Sequence, residues 1–131
     1  MATRSIIGKV NDDGTVRFIY CHWDGYPEYN GKLLLEHYNT PESVEALLAL
    51  GDLSSLNKDL TSCKAYGRDR GETDTEAQTI GKDELINAAE ITGAEYAYIF
   101  EGGVWFVYDV WEHKRIGTVD EVIAMLKKEA E

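Results

Sequence analysis

Two stretches near the start of the chain, Ser5-Ile6-Ile7-Gly8-Lys9-Val10 and residues 16–23, flank Asn11-Asp12-Asp13-Gly14. Asp-Gly between apolar runs is a strong turn signal, so these residues predict a first β-hairpin. Leu33-Leu34-Leu35 with Lys32 and Glu36 favours a helix over Tyr29 to Tyr38, ended by Asn39. A second helix follows, with Thr40 as N-cap, Pro41 at the first position, and Val44, Leu47 and Leu48 at i, i+3, i+4 before Gly51. Residues 52–81 show little periodicity and many turn formers, which predicts a long surface connection.

The pattern then resumes. Lys82 to Ile91 reads as a helix with Leu85, Ile86 and Ala89 on one face and Gly93 as its stop. Ala94–Phe100 and Val104–Trp111 predict a second hairpin across Glu101-Gly102-Gly103. Thr118-Val119-Asp120-Glu121 is a capping box that opens a last helix with Val119, Val122, Ile123 and Leu126 as its stripe. The order ββαα-loop-αββα predicts one α+β domain over residues 1–131, with an antiparallel sheet of about four strands and about four helices on one face. Aromatic and apolar residues occupy both parities of the second hairpin. The sheet face away from the helices therefore needs a cover: the long connection, a ligand, or a second copy, and a homo-oligomer is the expectation.

Composition narrows the function. A chain of 131 residues with 44% hydrophobic and 11% aromatic content can bury a core without metal or disulfide. No apolar run approaches the length of a membrane span or a signal peptide, and Cys21 and Cys63 follow no ligand or redox spacing, so a cytoplasmic protein with reduced thiols is expected. The net charge of −11 is spread along the chain: nine acids against five bases in residues 1–60, four against three in 61–81, eleven against five in 82–131. Such a field repels nucleic acid and anionic membranes and suits either plain solubility or docking on a basic surface.

Two segments carry chemistry. Tyr20-Cys21-His22-Trp23-Asp24-Gly25-Tyr26-Pro27 sets three aromatics, an imidazole and a carboxylate at the exit of a strand, as in a ligand pocket or an interface anchor. If the strand continues, His22 and Asp24 project to one side and can hold a hydroxyl or phosphate oxygen; the alternative is a core histidine followed by a turn. Tyr66-Gly67-Arg68-Asp69-Arg70-Gly71-Glu72 sets two guanidinium groups between glycines, suited to phosphate or carboxylate, unless the neighbouring acids neutralise them. Adjacent Cys21 and His22 point to opposite faces of a strand and do not form a dyad, and three histidines without ligand spacing make no metal site. Neither a catalytic residue nor a cofactor is expected.

The stretch from Ile19 to Glu28, then Gly31-Lys32-Leu33-Leu34, Gly51-Asp52-Leu53-Ser54-Ser55-Leu56 and Tyr66 to Glu72 resembles a group of small uncharacterised proteins encoded in bacteriophages and prophages, over about residues 4–110. The resemblance implies a phage accessory protein in the bacterial cytoplasm that counters host defence by binding. In the sharper form it sequesters a nucleotide-derived immune signal: Trp23, Tyr26 or Tyr66 stack the base, Arg68 and Arg70 grip phosphate, and His22 and Asp24 address sugar or base edges. The alternative is an acidic inhibitor of a defence nuclease or CRISPR effector, and an unassigned small enzyme is the third.

Overall fold

The computed structural model describes residues 2–130. Its core is a mixed sheet of eight strands among the described residues, which corrects the expected four-stranded antiparallel sheet. Strands β1 (Ser5–Val10) and β2 (Thr15–Cys21) form the first hairpin, and β6 (Tyr96–Glu101) and β7 (Val104–Asp109) the second. The two hairpins join through a parallel pairing of β1 with β6, from Ser5 opposite Tyr96 to Lys9 opposite Phe100. Ile6 and Ile7 on β1 and Ala97, Tyr98 and Ile99 on β6 are fully buried, so both faces of this central pair are covered.

The unforeseen strands are short or polar. β3 (Leu53–Ser55), β4 (Lys64–Ala65) and β5 (Gln78–Gly81) lie inside the segment read as a loop, where two to four residues are too few to show a period. β5 pairs with the first half of β2, while β3 runs parallel to its end at Cys21 opposite Leu53. At the far edge, β8 (Lys114–Thr118) pairs with β7 and carries charged, half-exposed residues suited to an edge strand.

Helices cover both faces, not one. Against the inner face lie α1 (Lys32–His37), α2 (Pro41–Leu48) and α5 (Val119–Ala130), whose Leu34, Leu47, Leu48, Val119 and Val122 join Ile7, Ile19, Tyr98, Phe100, Trp105 and Val107 in one cluster. Full burial of each such leucine stabilises the fold by roughly 1.5–3 kcal/mol. A single π-helical turn, Pro27–Gly31, precedes α1, so the helix predicted from Tyr29 is split. The capping box predicted for α5 forms, with Thr118 N–H donating to Glu121 Oε1 at 2.9 Å. At α2, Thr40 caps the helix in reciprocal hydrogen bonds with Ser43. Glu45 of α2 binds both Lys9 (3.0 Å) and Arg17 (2.8 Å) on neighbouring strands, and the Lys9 hydrogen bond leads the causes that hold its carboxyl below the usual range.

On the outer face, α4 (Leu85–Thr92) packs Leu85 and Ala89 onto Ile6, Val16, Phe18, Ala97 and Ile99. The expected cover over the second hairpin is therefore supplied by α4 and by Arg115, whose guanidinium lies 4.2 Å from the ring centre of Phe106. The hairpin turn is also tighter than predicted. Glu101 pairs with Val104, leaving Gly102-Gly103 as a two-residue turn in which both glycines hold positive φ (60° and 82°). A two-residue turn exchanges parity between the strands, which puts Trp105 and Val107, not Phe106 and Tyr108, on the side of Tyr98 and Phe100.

Candidate binding site

The outer face is open where β2 ends. Tyr20 shares its parity with Val16 and Phe18, and lines a shallow hollow with Phe18, Asp52, Gln78 and Thr92. Its hydroxyl lies 2.7 Å from His22 Nδ1. Partial burial, opposed by nearby Arg4, pushes the Tyr20 phenol above its ordinary value. Trp23 sets its ring edge-on to His22, with centroids 4.7 Å apart, and is 45% exposed.

Asp52 ties the two sequence motifs together. Its carboxylate accepts from the Tyr20 backbone N–H at 3.0 Å and its carbonyl from the Tyr66 N–H at 3.1 Å, while its own N–H donates to Thr75 O at 2.7 Å. Burial raises the Asp52 carboxyl above the ordinary aspartate value. Tyr66 and Arg70 begin and end α3 (Tyr66–Arg70), a one-turn helix closed by Gly71 at φ 68°. The Arg70 guanidinium lies 5.0 Å from the Tyr66 ring centre and has no ion-pair partner among the described residues. Asp52 therefore joins the main chain of the first segment, at Tyr20, to that of the second, at Tyr66.

The other predicted residues lie apart from this arrangement. Arg68 is two positions from Arg70 on a helical turn, and such residues do not share a side. Its guanidinium donates to Leu60 O (2.7 Å), Cys63 O (2.6 Å) and both carboxylate oxygens of Asp69 (3.0 Å each), so it staples the chain and the expected arginine fork is not formed. The strand does not continue to Asp24 either. Asp24 turns the chain at φ 58°, its carbonyl accepts from Asn30 N–H, and His22 bonds Tyr20, so the expected same-side pair of His22 and Asp24 is not formed. Tyr26 (40% exposed) and Tyr29 (37%) stand with ring centroids 6.2 Å apart on the turn beyond Trp23.

That turn is rigid from below. Buried Tyr98 donates to Gly25 O at 2.5 Å, and Asn30 Nδ2 donates to Trp23 O at 3.2 Å. A Cβ on Gly25 would stand 2.7 Å from Thr3 O, which is why the position takes glycine. Cys21 faces the inner core, where burial pushes its thiol up to about 12, while His22 faces outward. Sequence reasoning missed the roles of Tyr20 and Asp52. Asp52 reads as a turn former, and its role depends on a 32-residue separation from Tyr20. Among the described residues no cluster of His, Cys, Asp and Glu could hold a metal, and no helix is long and apolar enough to cross a membrane. No protein-family model, curated protein or solved structure matches the chain.

Proposed function

We propose that this protein acts by binding, without catalysis, and that its ligand is a nucleotide-derived signal of bacterial immunity, sequestered at the Tyr20–Trp23 and Tyr66–Arg70 site. One observation carries the reading. Asp52 ties the backbone of the strand end that leads to His22 and Trp23 to that of Tyr66, and the two tied segments carry an outward imidazole, an exposed indole, a tyrosine ring and an unpaired guanidinium, the groups that grip phosphate, stack a base and address its edges. The resemblance to phage and prophage proteins supplies the setting. Arg70, on Tyr66, takes the phosphate role alone, since Arg68 is engaged with backbone carbonyls.

Thermal denaturation with a panel of cyclic and ADP-ribose-like nucleotides tests this. A ligand at a hundred times its Kd stabilises by about 2.7 kcal/mol, and Arg70→Ala removes that gain. Absence of a shift with every nucleotide rejects the reading. A second reading rests on the exposed row Trp23, Tyr26 and Tyr29 in a chain of net charge −11: an acidic inhibitor that anchors these rings on the basic surface of a defence nuclease or CRISPR effector. Co-purification of such an enzyme, lost on Trp23→Ala with Tyr26→Ala, favours it.

A further inference from the structure

A second hollow, of about 440 Å³, opens at the end of the sheet where β1 and β6 begin, between the end of α4 and the turn from β7 to β8. Its volume is that of a small-molecule site. Backbone hydrogen bonds fix its wall in sequence: Glu95 N–H to Arg4 O at 2.9 Å, Val110 N–H to Glu95 O at 3.1 Å, and His113 N–H to Val110 O at 3.3 Å. Buried Ala94 and Val110 give an apolar floor, and Trp111, 82% exposed, stands at the rim with no packing role to account for it.

The charges around this floor are of both signs. Glu90 and Glu95 line it, Glu90 lying 3.4 Å from His113 Nε2. Arg4 also lines it and makes no ion pair among the described residues. The guanidinium reaches across Gly93, where an added Cβ would stand 2.9 Å from its nitrogen. An anion alone meets two carboxylates here, and a cation alone meets Arg4. A short molecule with both charges and a flat apolar body is attracted by every group.

We propose that this hollow binds a free amino acid with an aromatic side chain, its carboxylate on Arg4, its ammonium on Glu90 and Glu95, and its ring against Trp111 over Ala94 and Val110. None of His22, Trp23, Tyr66 and Arg70 lines this hollow, although Arg4 also neighbours the Tyr20 hydroxyl of the first site.

Calorimetric titration of the full chain tests it, with L-phenylalanine and L-tryptophan as ligands, and with phenethylamine, which lacks the carboxylate, and hydrocinnamate, which lacks the ammonium, as controls. The amino acids bind, and each control binds at least about 10-fold more weakly. Arg4→Gln lowers phenylalanine to the affinity of phenethylamine, and Trp111→Ala weakens the amino acids while leaving the melting temperature unchanged. The proposal is overturned if neither amino acid binds at about 10 mM, or if either control matches its parent.

Discussion

The two faces of the sheet are built to different standards. Three helices cover the inner face, leaving one small hollow at its edge beside Leu35, Trp105 and Val119, and Tyr38, Tyr98 and Trp105 there direct their polar atoms to backbone carbonyls: Asn57 O, Gly25 O and Tyr38 O. One eight-residue helix covers the middle of the outer face and leaves the strand ends open. Arg4, Tyr20 and His22, with Trp23 beside them, stand at those ends, and so do the two hollows described above. Closure on one side gives the rigidity on which open groups on the other can be held in place.

Core truncation gives the largest contrast. Leu47→Ala, in the inner cluster, should destabilise by about 2–5 kcal/mol, and Leu85→Ala, under the single outer helix, should fall toward the low end of that range because α4 can settle into the space. Urea denaturation of both variants measures this. Equal losses would show that the outer layer is as tightly determined as the inner one.

Next in size is the effect on binding. Trp23→Ala with Tyr26→Ala should abolish binding of ligand or partner while leaving the fold intact, because both rings are exposed on a turn held by Gly25, Asn30 and Tyr98. Circular dichroism and a binding assay on the same preparation decide it. Unfolding of the double variant would make these rings part of the core and close the outer site.

The arginines separate more finely. Arg68→Ala should lower the melting temperature by about 3 °C through loss of its bonds to Leu60 and Cys63 carbonyls, with binding retained. Arg70→Ala should leave the melting temperature in place and weaken binding, since its guanidinium lies over the Tyr66 ring and makes no ion pair among the described residues. A scan of both variants with and without ligand reads the pair, and an exchange of the two phenotypes would return Arg68 to the site.

Much of the inner face was legible in the sequence and little of the outer site was. Val44, Leu47 and Leu48, or Val119 and Val122, announce their helices because a core stripe repeats every three or four residues. The rings at Trp23 and Tyr26 stand out because a turn does not require them. By contrast, β3 and β5 gain their strand state from pairing with β2, and the two-residue turn at Gly102-Gly103, one residue shorter than expected, decides that Trp105 and Val107 face the side of Tyr98 and Phe100. The Arg68–Arg70 pair failed for a related reason: spacing in sequence says nothing of direction until the segment is known to be helical.

The smallest effect concerns Asp52 itself. Asp52 is half-buried with its carboxyl raised above the ordinary value, chiefly by burial and also by the charge of Glu76, despite the hydrogen bond from Tyr20 N–H. A raised folded-state value means that the native protein holds the proton to higher pH than the unfolded chain does. Stability from this group is thus fully present below the ordinary aspartate value and is lost as pH rises through the raised one. Asp52→Asn keeps an oxygen to accept from Tyr20 and removes the titration. The variant should therefore equal or exceed the parent in stability at neutral pH, and lose that advantage as pH falls through the raised value. Glu45, Asp69 and other carboxyls held below their usual range weaken both proteins in acid, but they are common to the pair and cancel in the difference. Denaturation midpoints of parent and variant across this pH range measure it. A difference that stays constant would mean that Asp52 holds Tyr20 and Tyr66 together without a burial penalty, and that the outer site is as well solvated as the surface around it.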